Sequence, residues 1–578
     1  MTMGRRGTVA LCTIVKNEER FIRKCLASVQ GAVDEIVIVD TGSTDRTVQI
    51  AEEMGAKVYH HPWQDSFSEA RNFALQFVTS EWVLQLDGDE ELERADIPLL
   101  REVVKSRQVN SLFVPILNYM PDGSISRLYY RRLFRTHLGH YQGIVHNQLV
   151  VSGATGQAEI RIYHHGYNLS PEEMAAKQAR SERLLLKQMA EEPDDPFPRF
   201  NLGRIYRNQG RFQQAIQVCQ EGLGLCLPGA RTSTYFMLLF DLAYCLMMVD
   251  RLGEAEAYCR QGLEEDPKNL DLRFTLGTIY ARQQRHAEAV REYQRYLDTL
   301  ARCEREPRYG FTTVIVDSWG FENRARYHIG QCYIAMGKLH QAEAWYKDLL
   351  REKPDALCFR GLARCRILNK DLEGARQTLE SAVASGYEDA FIHFQLGEVW
   401  RDMGNFVESV RCFARSAELA PSNVDVLNGY AHALMSAGQY EEAAEVLNKA
   451  HALAPSHVGV LIGLLRAYQR RGRPDEARAM VEALSALDIA DAQANREVGD
   501  ACVRLGLYSQ AIFFYERALV LARPEARVLG NIASCYAQLG HPEAARLGYQ
   551  AALELDPNYA LARRNLAVLN RLSAPVKA

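Results

Sequence analysis

The sequence has 578 residues, of which 47% are hydrophobic and 24% charged, with a formal net charge of −4. That length exceeds one hydrophobic core and calls for three or four domains, or one domain followed by a long repeat array. The composition excludes disorder, collagen and a membrane-embedded fold, and the balance of acids and bases leaves no whole-chain basic footprint for nucleic acid.

The 13 cysteines are scattered through helical patterns, with no CxxC. They read as buried thiols of a reducing compartment, not as a disulfide framework or a zinc site. Arg5 and Arg6 precede an apolar run at 9–15, but the run is short and meets Lys16-Asn17-Glu18-Glu19 without a cleavage-site pattern. No stretch reaches about 18 apolar residues, so no membrane span is expected. The expected location is the cytoplasm.

Up to about residue 165, strand and helix patterns alternate. Residues 8–15 read as a buried strand, 18–29 as a helix and 35–40 as a second strand. Residues 45–54 read as a helix capped by Ser43 or Thr44, 57–60 as a strand, 67–78 as a helix, and 81–87 as a strand ending in acids. This order predicts a mostly parallel sheet with helices on both faces. Ligands of such sheets bind beyond the carboxyl ends of the strands, where Asp40 and Asp87-Gly88-Asp89 fall.

From about residue 195 the pattern is helical and repeats. A Leu-Gly-x-x-Tyr-like core places its glycine position at Gly397, Ala431, Leu465, Gly499, Ala533 and Ala567, in steps of 34. Earlier members are Gly203, Ala243, Gly277, Gly330 and Ala363, less evenly spaced. A helix–turn–helix period of 34 is the tetratricopeptide signature. About eleven units are expected over 195–578, after a connecting helix at 171–194. The stretch 302–323, with Tyr309 to Trp319, is aromatic and out of phase; it reads as an ordered surface insertion or as a loop touching an acceptor.

Two carboxylates one residue apart at a strand end, Asp87 and Asp89, can converge on one hard cation, although a solvated turn has the same text. Asp40 can accept hydrogen bonds from a base or ribose, and Arg71 can reach a phosphate. The basic and aromatic run 127–135 reads either as a cover for a diphosphate or as a solvated strand face.

Together these motifs resemble a known family. Ile14-Val-Lys-Asn-Glu-Glu19, Val39-Asp-Thr-Gly-Ser-Thr-Asp-Arg-Thr47, Trp63 to Asn72 and Leu86-Asp-Gly-Asp-Glu90 are similar to family 2 glycosyltransferases of the GT-A fold, over residues 8 to about 167. Look-alikes include bacterial enzymes with an attached repeat array, some of which modify peptides or proteins. The resemblance implies an α/β GT-A domain with a Rossmann-like mixed sheet over 1–170, followed by an all-α tetratricopeptide superhelix. It also implies a nucleotide-sugar donor, UDP-linked at the family level, a Mn²⁺ or Mg²⁺ ion, and inversion at the anomeric carbon. By position, Glu18, Asp40, Arg71 and Asp87 would bind the nucleotide sugar, and Asp87, Asp89 and His164 the metal; for His164 a structural role stands beside that one. Asn147 stands where look-alikes carry glutamate, so the base passes to His146 or Glu90, or to Asp122 if the fold brings it close.

The side chains two before each glycine position are read as facing a groove for an acceptor protein or peptide. They include Asn201, Asp241, Gln395, Asn531 and Asn565. Homodimerisation is a further expectation for so long an array. The leading reading is a metal-dependent glycosyltransferase of protein acceptors. The alternatives are an enzyme of surface polysaccharide or glycolipid assembly and a non-catalytic scaffold with a degenerate first domain.

Overall fold

The computed structural model describes residues 7–119, 125–144, 148–164, 171–227, 232–310, 312–314 and 316–572. The chain divides into two compact units, Met1–Lys338 and Leu339–Ala578.

In the first unit, β1 (Val9–Val15), β2 (Glu35–Asp40), β3 (Lys57–His60) and β4 (Trp82–Gln85) lie parallel in the order β3-β2-β1-β4. The near-continuous apolar text of β1, β2 and β4 suits strands covered on both faces. The covering helices are α1 (Ile22–Ser28), α2 (Thr47–Glu53), α3 (Phe67–Leu75) and α4 (Ile97–Val103). Leu11 packs in one layer with Cys25 and Leu26 of α1, Ile50 of α2 and Leu100 of α4. Cys12, the next residue, packs in the other with Ala74 of α3 and Phe134. Successive residues of one strand thus feed opposite layers.

Two helix starts differ from the sequence pattern. α1 begins only at Ile22, because Asn17 takes a left-handed φ of 57° and the N–H groups of Phe21 and Ile22 turn back to the Glu18 carbonyl. Neither Ser43 nor Thr44 caps α2. Ser43 Oγ accepts from the Asn17 N–H (3.0 Å), the Thr44 N–H donates to Asn17 Oδ1 (2.8 Å), and Asp45 takes the Thr47 N–H (2.9 Å).

The rest of the sheet is mixed. It is built from β5 (Glu90–Leu92), β6 (Ser111–Tyr119), β7 (Ile125–Arg135), β10 (Thr155–Gln157) and β11 (Ile162–His164), while β8 (Gly139–Gln142) and β9 (Gln148–Val151) form a separate pair. The order continues β4-β7-β6-β11-β5, with β7 antiparallel to both β4 and β6, and β10 also paired with β6.

Helix α5 (Pro171–Glu191) leads into the repeats, whose first three helix pairs and the helix Glu322–Ala335 complete the first unit up to Lys338. In the second unit, first helices begin at Ala390, Val424, Val458, Ala492, Ala526 and Ala560, which is the 34-residue period of the sequence. Gly404, Gly438, Gly472, Gly506 and Gly540, with φ between 65° and 81°, close the first five of these in the left-handed conformation glycine favours. Gly397 and Gly499 are small for another reason: a Cβ there would lie 2.7 Å from a ring carbon of Phe413 or Tyr515.

Part of the out-of-phase stretch is built into the sheet. Val316 and Ser318 are buried, because its backbone completes an edge of β7. All 13 cysteines are free, 12 of them buried. Among the described residues no helix is long and apolar enough to cross a membrane.

Candidate active site

Asp40 and Asp87 stand at the carboxyl ends of β2 and β4, on the same end of the parallel layer. The Asp40 carboxylate is buried and accepts from the N–H groups of Gly42 (3.2 Å) and Ser43 (3.0 Å), with His60 Nδ1 at 3.3 Å. It therefore shapes the loop 41–46. That loop is stitched to the turn after β1: besides the Asn17 bonds, the Glu18 N–H donates to Thr47 Oγ1 (2.7 Å), and the Arg46 N–H to Glu19 Oε2 (3.0 Å).

Glu18 lies across Gly88. A Cβ on Gly88 would sit 2.9 Å from Glu18 Cγ, so the middle residue of Asp-Gly-Asp has to be small. Burial and the nearby Asp89 push the Glu18 carboxyl up to about 7, against the pull of Lys177 on α5.

Asp87 is held by two arginines. Arg71 Nη2 of α3 is 2.5 Å from its Oδ1, and Arg132 Nη2 of β7 is 3.5 Å from its Oδ2. Burial raises this carboxyl, but the two guanidiniums outweigh burial and hold it well below the usual carboxylate range. Arg132 also pairs with Glu90 Oε1 (2.7 Å), and Glu90 Oε2 accepts the Asp87 N–H (2.8 Å). Glu90 is 2% exposed, and burial raises its carboxyl in spite of Arg132. Its place is therefore that of a buried counter-ion, not of a base open to an acceptor.

Asp89 faces His164 instead, with Oδ2 and Nε2 3.3 Å apart. The tautomer follows from the neighbours. Asn118 Nδ2 donates to Ser126 Oγ (2.9 Å), which leaves Asn118 Oδ1 facing His164 Nδ1 (2.9 Å). Nδ1 carries the hydrogen there, and Nε2 points at the carboxylate. Burial works against the imidazolium, but Asp89 and the acids behind it hold the imidazole above its ordinary value.

A carboxylate oxygen and an imidazole nitrogen facing each other need a proton or a cation between them. This donor pair fits a divalent ion that takes its remaining ligands from substrate phosphate and water. Among the described residues no group of three or more His, Cys, Asp or Glu is disposed to hold a metal by itself. Asp87, expected to share the ion, is engaged by arginines.

The basic run of β7 is not a solvated face, and its arginines have partners within the protein. Arg127 reaches Glu159 (3.0 Å), Arg131 the Leu149 carbonyl (3.0 Å) and Arg135 Glu81, while Arg132 serves the acids above. Asn72 of α3 pins the Tyr141 backbone through two bonds of 2.8 and 2.9 Å. His146, Asn147 and Asp122 lie outside the described residues. The sequence pattern gives Asn118 no role and gives Arg132 none apart from its neighbours in 127–135. Arg132 was hidden among other arginines, and a lone asparagine inside a strand carries no signal.

The row two before each glycine packs in part against the preceding helix. At Gly361 and Gly463 a Cβ would meet Tyr346 and Leu447 of the preceding helix, and at Gly429 it would meet Phe394 of the helix before that. Asn531 donates to Tyr515 (3.2 Å) and Asn565 to Tyr549 (3.0 Å), tyrosines that also precede them. Asn201 is buried and bonds the Phe197 carbonyl (2.9 Å), and Asp241 is fully buried against Arg207. Gln395, in the same row, has its Oε1 buried. Gln395, Asn531 and Asn565 keep part of their surface exposed.

Residues 10–157 match the family described as glycosyl transferase family 2. The chain carries a family 2 glycosyl transferase domain. Tetratricopeptide families match 199–228, 240–306, 324–355, 394–458, 434–496 and 526–559 behind it. A TPR repeat-containing protein of Synechococcus elongatus is 31% identical over 274 residues, 43% of this chain and 63% of that protein. The SPbeta prophage-derived glycosyltransferase SunS of Bacillus subtilis is 27% identical over 225 residues, 37% of this chain and 53% of that protein. An uncharacterized glycosyltransferase of Rickettsia felis is 43% identical over 81 residues, 14% of this chain and 28% of that protein. The chain thus spans about half to two thirds of the first two relatives. The paired acids of the family 2 domain, Asp87 and Asp89, have separate partners: one turns to guanidiniums, the other to an imidazole.

Proposed function

We propose that this chain transfers a sugar from a nucleoside-diphosphate sugar, UDP-linked, to a protein or peptide, with inversion at the anomeric carbon. The observation that carries the reading is the Asp89–His164 pair at 3.3 Å beyond the carboxyl end of β4, with Asp89 inside the family 2 match and His164 just after it. A Mn²⁺ or Mg²⁺ ion held by that pair would neutralise charge on the departing diphosphate.

The chain's own residues do the rest. The stitched turns around Asn17, Glu18 and Asp40 form a fixed wall for the nucleotide. Arg71 and Arg132, seated on Asp87, bring positive charge toward the diphosphate without having to be ordered at the moment of reaction. The acceptor atom bonds to the anomeric carbon as the sugar–phosphate bond breaks, and the acceptor proton passes to a base, for which His146 is the proposed residue. The repeats hold the acceptor. Thirteen free cysteines favour a reducing compartment, in keeping with a cytoplasmic site of action.

Calorimetric titration of the full chain with UDP and Mn²⁺, followed by donor-hydrolysis assays, tests the donor half. Binding and turnover that Asp89→Ala abolishes support the reading; no binding of any sugar nucleotide removes it. Mass spectrometry of proteins from cells with and without this chain tests the acceptor half, and a sugar found only on saccharide or lipid would refute it.

A further inference from the structure

Where β4 ends, β7 runs on, and its edge from Ile125 to Tyr129 needs another partner. A segment some 190 residues further along the chain supplies it. The Tyr129 N–H donates to the Thr312 carbonyl (3.0 Å), Arg127 and Val316 exchange N–H···O bonds of 3.1 and 2.9 Å, and the Gly320 N–H donates to the Ile125 carbonyl (3.1 Å). Trp319 lies under the Arg127 guanidinium, whose carbon is 4.6 Å from the ring centroid.

The same segment is locked into the repeats. Asp271 accepts the N–H groups of Asp317 (3.0 Å) and Ser318 (2.7 Å). The Asp317 carboxylate is gripped by Arg204 and Arg207, and Arg207 also pairs with Asp241. These partners stand on three different repeat helices, Pro196–Asn208, Ser233–Met248 and Leu270–Arg282.

The bonds to β7 fall on both sides of Ser126. Ser126, Asn118 and His164 are register partners on the neighbouring strands β7, β6 and β11, and form one row across the sheet. The row is joined by the two 2.9 Å bonds that set the His164 tautomer and aim Nε2 at Asp89.

We propose that residues 312–314 and 316–321, contributed by the repeats, are a positioning element of the active site: they hold β7 so that Ser126 and Asn118 present His164 to Asp89. Ser126 and Asn118 are positioning residues and touch no substrate. The proposal rests on reading Asp89 and His164 as the pair that takes a divalent ion.

The test is the Mn²⁺ affinity of the full chain, read from free Mn²⁺ by electron paramagnetic resonance, with no donor or acceptor present. Asp89→Asn should lose binding. Asn118→Leu should weaken it about 10- to 100-fold, and Asn118→Asp, which still accepts from Nδ1, should restore it. Val316→Pro removes the N–H given to Arg127 and should weaken binding about 2- to 30-fold, whereas Val316→Ala keeps that bond and should match the unaltered protein. Circular dichroism melts establish that each variant is folded. Should proline unfold the sheet, Gly320→Val, whose Cβ would meet the Ile125 nitrogen at 3.0 Å, carries the same expectation. Folded strap variants that bind Mn²⁺ like Val316→Ala, while Asn118→Leu loses it, overturn the role of the segment. Unchanged binding in Asp89→Asn overturns the metal reading and this proposal with it.

Discussion

Arg132 Nη2 and Glu90 Oε1 lie 2.7 Å apart, with side chains 8% and 2% exposed. Removing one partner of such a pair leaves the other charge stranded, which costs about 3–5 kcal/mol. Arg132→Leu should lower stability by that amount, read as an earlier urea midpoint for the first unit. The double variant Arg132→Leu with Glu90→Leu should recover most of it. A single variant as stable as the unaltered protein would contradict the pairing.

The two acids of the Asp-Gly-Asp turn should separate in calorimetry. Asp89→Asn is expected to lose Mn²⁺. Asp87→Asn should keep Mn²⁺ affinity but bind UDP at least about tenfold more weakly, because Arg71 and Arg132 lose the anion that seats them. EDTA should abolish donor turnover and added Mn²⁺ restore it. Equal Mn²⁺ loss in both variants would return Asp87 to the metal.

Asp271 makes a pH prediction. Burial and the neighbouring Asp317 raise its carboxyl from 3.8 to about 7. A carboxyl whose folded pKa stands above its unfolded value weakens the fold as pH rises through that window, and the penalty is complete above it. Asp271→Asn abolishes this penalty while adding a constant cost for one lost acceptor. The melting temperature of the variant relative to the unaltered protein should therefore be higher at pH 8 than at pH 4.5. The same difference at both pH values would show that the carboxyl titrates normally.

Asn531 separates a stacking residue from a groove ligand. Its Nδ2 bonds the Tyr515 hydroxyl at 3.2 Å, and a lost hydrogen bond of this kind costs about 1 kcal/mol. Asn531→Ala should lower the urea midpoint of the second unit accordingly and leave acceptor affinity unchanged. Lost acceptor binding at full stability would restore the groove reading.

The parts of this fold legible in the sequence are those set by local pattern. The apolar runs of β1 and β2 appear with the expected ends, β1 starting one residue later, because both faces of those strands are buried, and the 34-residue step reproduces the helix starts from Ala390 to Ala560. Asp87 and Asp89 were visible as a motif, but not their division of labour, which depends on Arg132 arriving from a strand 42 residues beyond Glu90. Asn118 and Ser126 are ordinary polar residues until register sets them side by side. The row two before each glycine is legible only in part for a similar reason: at Asn531 and Asn565 the polarity meets tyrosines on the preceding helix, a contact the repeat period alone does not show.

The bond between Arg127 and Val316 also bears on synthesis. At ordinary ribosome speeds, about 190 residues take roughly 10–40 s to add. Through that interval the nascent sheet keeps a bare strand edge at Ile125 to Tyr129, a hazard for chain-to-chain pairing that a chaperone or fast elongation would have to cover.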